Sequence, residues 1–64
     1  MEDVKRLREA QGKTQKQLAD EMGVERSTVA KWEAGTAFPR ADKLPKLAEV
    51  LGCSVADLFN TESA

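Results

Sequence analysis

Arg26, Ser27, Thr28 and Lys31 place four hydrogen-bond-donating side chains within six consecutive residues. The rest of the chain offers them no partner for covalent catalysis. There is no histidine, no tyrosine and a single cysteine, Cys53. The carboxylates are spread along helical positions without a convergent partner, and no phosphate loop or dinucleotide signature occurs. These features argue against an enzyme and against a cofactor. One cysteine without histidine also argues against a structural zinc site. What clustered donors do suit is a surface lined with acceptors.

The elements that must position these donors can be read between Thr14 and Gly35, TQKQLADEMGVERSTVAKWEAG. Thr14 is a favoured N-cap, and Gln17 stands three residues on, where a capping-box partner belongs. Leu18, Ala19 and Met22 then fall on one helical face. Gly23 sits at the C-cap, where a left-handed backbone suits glycine. Val24 is an apolar turn residue pointing inward. In the next helix Val29 and Trp32 are three apart and form a buried stripe. This leaves Arg26, Ser27, Thr28 and Lys31 facing outward. Trp32 invites a role as a nucleic-acid stacking residue, but its spacing from Val29 assigns it to the core. Two short helices around a tight turn make a helix-turn-helix over about residues 14–34, whose second helix fits the major groove of DNA.

The flanking sequence supports these two helices. A first helix is expected from Glu2 to Gln11, with Val4 and Leu7 inward and Gly12 ending it. Gly35 ends the recognition helix, and residues 36–40 form a loop. A fourth helix is expected from Asp42 to Leu51, with Leu44, Leu47, Ala48 and Leu51 on its apolar side. With Asp42 as N-cap, Pro45 would lie harmlessly in the first turn. Ser54 and Asp57 would cap a fifth helix carrying Val55, Leu58 and Phe59. Residues 60–64 read as a frayed polar tail. The expected fold is therefore all-α: one domain over residues 1–64, a compact five-helix bundle.

Composition bounds the reading. The chain has 64 residues, 41% hydrophobic and 33% charged. A domain this small buries only about 60% of its unfolded surface, which favours pairing with a second copy. Leu58 and Phe59 are the expected dimer contacts. No apolar run approaches membrane-spanning length, and MEDVKRLREA lacks the apolar segment of a signal peptide. A lone cysteine, read as a small apolar residue, fits a reducing cytoplasm. The net charge is −1 and the pI about 5.3. Nucleic-acid-binding domains are usually basic, so the distribution of charge has to compensate. Glu25, ahead of the outward donors, either accepts from a cytosine amino group or simply favours the helix dipole.

The stretches VKRLREAQGKTQKQLADEMGV, RSTVAKWEAG, FPRADKLPKLAEVLG and CSVADLF resemble the Cro/phage-repressor-like, or xenobiotic-response-element type, helix-turn-helix regulators. The resemblance covers roughly Val4 to Phe59. It implies a lambda-repressor-like bundle that binds operator DNA, commonly as a symmetric dimer, and regulates transcription. It implies base contacts from Arg26, Ser27 and Lys31, with Thr28 near the backbone and also within reach of a base edge. Gln15 matches a residue that contacts phosphate and braces the recognition helix. Arg8 and Glu33 match an internal salt bridge. Lys13, Lys16 and Arg40 are further expected phosphate contacts, although exposed Lys and Arg are more often just solvated.

The leading expectation is thus a sequence-specific binder of double-stranded DNA, a repressor acting as a homodimer on a pseudo-palindromic operator. The acidic pI keeps a second reading open. In it the same fold is a protein-interaction module or antitoxin-like adaptor. A protein antagonist is a further conceivable partner; no membrane partner is implied.

Overall fold

The structure is a computed structural model and describes residues 2–59. Four α-helices follow one another: α1 (Glu2–Ala10), α2 (Gln15–Met22), α3 (Arg26–Ala34) and α4 (Leu44–Leu51). Two 3-10 turns, Ala41–Lys43 and Ala56–Phe59, complete the described chain. No strand occurs among the described residues.

Local chemistry sets the ends of α2. The Gln17 amide N–H donates to Thr14 Oγ1 at 3.0 Å, and the Thr14 N–H donates to Gln17 Oε1 at 2.8 Å. Both halves of the capping box are made. At the other end Gly23 has φ 71°. A Cβ there would meet no atom within 4 Å, so backbone conformation alone selects glycine. The left-handed cap lets the Val24 N–H reach Ala19 O at 3.0 Å, and it turns the chain into α3.

The apolar stripes converge on one core. Val4, Leu18, Val29, Leu47 and Leu51 are all but fully buried, with Ala19, Met22, Trp32 and Ala48 beside them. Ala19 is small where α2 meets α3, the most extensive packing in the molecule. Trp32 lies in the core, at 2% exposure.

The C-terminal half departs from the sequence reading in three ways. First, α4 starts at Leu44 rather than Asp42, behind the 3-10 turn Ala41–Lys43. Pro45 has no N–H to return to Ala41, so the entry tightens to three-residue bonds: Lys43 N to Arg40 O at 2.9 Å, then Leu44 N to Ala41 O. Second, the fifth α-helix is the 3-10 turn Ala56–Phe59. Ser54 and Asp57 do cap each other, each backbone N–H donating to the other's side chain at 3.2 Å. The segment then closes by three-residue bonds. Val55 is exposed and Leu58 points inward, so the two do not share one buried helical face. Third, Leu58 is 1% exposed in the single chain. It completes the protein's own core and is no dimer contact, because nothing of it is left for a second copy to cover. The Phe59 side chain and the expected frayed tail lie outside what the structure describes.

Cys53 is half-buried against the core. Burial, aided by the Asp57 charge, pushes its thiol above the ordinary value. It therefore stays protonated and behaves as a small apolar residue rather than a redox sensor.

Candidate nucleic-acid interface

α3 is held from behind by a buried ion pair. The Arg8 guanidinium of α1 donates from Nε to Glu33 Oε2 at 2.6 Å and from Nη2 to Glu33 Oε1 at 3.2 Å. Its Nη1 donates to the Lys13 carbonyl at 2.7 Å. The two side chains are only 10% and 5% exposed. The hydrogen bond to Glu33 raises the Arg8 pKa against the opposing effect of burial. Burial alone would push the Glu33 carboxyl up. The hydrogen bonds from Arg8 and Gln15, with the Arg8 and Lys5 charges, outweigh it and hold the carboxyl below its ordinary value. The pair thus stays ionised and ties α1, the α1–α2 turn and the end of α3 together.

The outer side of α3 carries the donors. Arg26, Ser27 and Lys31 are exposed, and Thr28 is half-buried. Arg26 Nη1 donates to Gln15 Oε1 at 3.4 Å, the long end for such a bond. Gln15 Nε2 donates to Glu33 Oε1 at 2.9 Å. Neither Arg26 nor Lys31 forms an ion pair among the described residues. The N-cap residue Glu25 makes no side-chain capping bond.

The remaining sequence candidates divide. Arg40 joins the α3 donors across a groove of about 340 Å³, whose lining includes Thr28, Lys31, Phe38, Arg40 and Lys43. Arg40 is exposed, and its contact with Asp42 is a loose 3.7 Å. Lys13 and Lys16 stand apart and are already engaged. Lys13 Nζ bonds both Glu21 carboxylate oxygens at 3.0 Å, and Lys16 Nζ bonds Asp20 Oδ2 at 3.2 Å. The sequence reading left Lys43 out of its phosphate candidates and took Phe38 only as a core or dimer-interface residue beside Leu58 and Phe59. Yet Phe38 is 67% exposed on that groove, the most exposed large apolar side chain described. Pro39 beside it is buried, which anchors the loop and turns Phe38 outward. Exposure of a loop aromatic next to a buried proline leaves no periodic signal.

α3 thus carries an apolar inner stripe, a braced back and exposed cations outside. A helix-turn-helix family model matches residues 4–58, nearly the whole described chain. The chain belongs to the Cro/C1-type helix-turn-helix family. It is similar to the transcriptional repressor RstR of a cryptic phage of Vibrio cholerae, 39% identical over 51 residues, covering 80% of this chain and 46% of that one. It is similar to the HTH-type transcriptional activator BcrR of Enterococcus faecalis, 30% identical over 61 residues, covering 95% and 30% respectively. A third similar protein is the prophage-derived HTH-type transcriptional regulator YonR of Bacillus subtilis, 38% identical over 53 residues, covering 83% and 49%. The chain thus spans half or less of the length of these relatives. No solved structure matches it at the significance these relatives reach. Among the described residues no helix is long and apolar enough to cross a membrane.

Proposed function

We propose that this helix-turn-helix chain is a transcriptional regulator that binds double-stranded DNA by laying α3 in the major groove. One observation carries the reading: Arg26 and Lys31 stand exposed on the outer side of α3 with no ion pair among the described residues, and Lys31 lines the groove that brings in Arg40 and Lys43. Arg26, Ser27, Thr28 and Lys31 read base edges, and an Arg fork on guanine O6 and N7 is the commonest specific contact. Gln15 and Arg40 hold phosphates and set the register. Lys13 and Lys16 are the weaker phosphate candidates, since each must first give up a carboxylate.

Two copies place their α3 helices about 34 Å apart, in successive major grooves of a pseudo-palindromic operator. The proposed action is repression, in the cytoplasm. A protein antagonist is a proposed means of release.

The test is selection from a random duplex library at about 100 mM salt, a range in which phosphate contacts are still strong. The expected result is an enriched inverted repeat with half-sites about one turn apart. A second reading, an interaction module or antitoxin-like adaptor, is favoured by the pI of about 5.3 and by the neutralised Lys13, just before α2, and Lys16, within it. No enrichment from a folded protein, with a tight protein partner in its place, would replace the first reading by the second.

A further inference from the structure

Four side chains form one continuous chain of hydrogen bonds from the protein's interior to the outer face of α3. In order they are Arg8, Glu33, Gln15 and Arg26, linked at 2.6, 2.9 and 3.4 Å. The charges along it run cation, anion, neutral dipole, cation.

That order decides which way the Gln15 amide points. An amide has one accepting end and one donating end. With Nε2 toward Glu33 and Oε1 toward Arg26, the donor meets the anion and the acceptor meets the cation. Flipping the amide would set an oxygen against the carboxylate and N–H groups against the guanidinium. Glu33 in turn is ionised and fixed by Arg8. The interior anion therefore dictates that an acceptor is presented to Arg26. Arg26 gives one N–H to that acceptor and keeps the rest of its fork for a ligand. Pinned on one side, the fork loses less rotational freedom when it engages a base.

We infer that Glu33 is a positioning residue for base reading: through Gln15 it holds the Arg26 guanidinium in the orientation that discriminates one base pair. The inference rests on the proposed DNA-binding reading. It assigns to a buried residue, which touches no DNA, control over one position of the recognised sequence.

The test compares full-length chains in the random-duplex selection, with thermal unfolding measured in parallel. Glu33→Gln keeps the shape but puts N–H groups where Oε1 or Oε2 stood. Arg8 Nε keeps the remaining oxygen at the Oε2 place, so the new NH2 group takes the Oε1 place, and the Gln15 amide flips to accept from it and turns its own N–H groups toward Arg26. The expected result is a loss of about tenfold in preference at a single operator position, the scale of one bidentate base contact, with the other positions unchanged. Gln15→Ala cuts the chain without touching the buried pair; loss of its proposed phosphate contact should weaken binding alike at every sequence, while the preference should relax at that same position alone.

If the wild type enriches an operator and both single variants enrich it with an unchanged profile, the inference is wrong and Glu33 serves stability alone. Should Glu33→Gln fail to fold, Gln15→Ala decides by itself. If the wild type enriches nothing, the DNA-binding reading fails and the inference with it.

Discussion

α2 and α3 are 8 and 9 residues long and pack against each other, yet they hold their charges in opposite ways. Around α2 each lysine is matched to a carboxylate, Lys13 with Glu21 and Lys16 with Asp20. On α3 the only side-chain partner of Arg26 is a neutral amide, and Lys31 forms no ion pair among the described residues. A net charge of −1 therefore hides a division of labour. The carboxylates neutralise the lysines around α2 and leave Arg26 and Lys31 of α3, the helix proposed to read DNA, without a matching carboxylate among the described residues. Total charge describes the far field, while a ligand at the surface meets the local one.

The first way to break the contrast is to attack what braces α3. Arg8→Ala leaves the Glu33 carboxylate buried without its main partner. It should lower stability by about 3–5 kcal/mol, enough to unfold much of so small a domain. Urea denaturation followed by circular dichroism reads this. A loss under about 1 kcal/mol would mean that the pair adds no more than a surface salt bridge does. Acid probes the same pair more gently. Glu33 titrates lower in the folded state than in the unfolded state, so its stabilisation is complete above the unfolded carboxylate pKa of about 4.3 and is lost as the pH falls through the lower folded value. Melting temperature should thus hold between about pH 7 and pH 5 and fall below about pH 4, less steeply in Glu33→Gln.

Leu58 marks where sequence reading stopped short. Leu58→Ala should cost about 2–5 kcal/mol as a core truncation, and by the same amount at every protein concentration. A loss that vanished on dilution would return Leu58 to an interface. The α2 ends were legible because Thr14, Gln17 and Gly23 act within a turn of one another. The core faces of α2, α3 and α4 were legible because helical period is a local property. The fifth helix misled because its caps are real and local, whereas its length depends on what the folded core leaves to cover. The start of α4 misled because Pro45 acts on the turn before it, not only on its own bond.

Within the site, Arg8 with Glu33 came from family resemblance rather than spacing, since 25 residues separate them. The donors on α3 followed from period alone. The ion pairs that disarm Lys13 and Lys16 were not foreseen. Lys13 reaches Glu21 from the turn before α2, eight residues away and outside helical period. Lys16 and Asp20 are a plain four-residue pair, which a check of charges along the helix finds. The Gln15 link between Glu33 and Arg26 joins α2 to both ends of α3, and only the folded chain brings these together.

The contrast sharpens at single side chains. Arg26→Ala should weaken binding to a selected operator by about 1–3 kcal/mol and relax one base position. Fluorescence anisotropy on the operator and its single-base variants measures both. Unchanged affinity and preference would remove Arg26 from the reading face.

The smallest effect bears most directly on the claim that α3, not α2, meets the DNA. It is the slope of log affinity against log salt for the selected operator, compared among wild type, Lys31→Ala and Lys16→Ala. Lys31→Ala should reduce the slope by about 1, because a cation on a base edge still lies inside the groove's counterion atmosphere and displaces a counterion, while Lys16→Ala, at a lysine already neutralised by Asp20, should leave it nearly unchanged. A reduced slope in Lys16→Ala with none in Lys31→Ala would contradict the assignment and move the DNA to the face of α2.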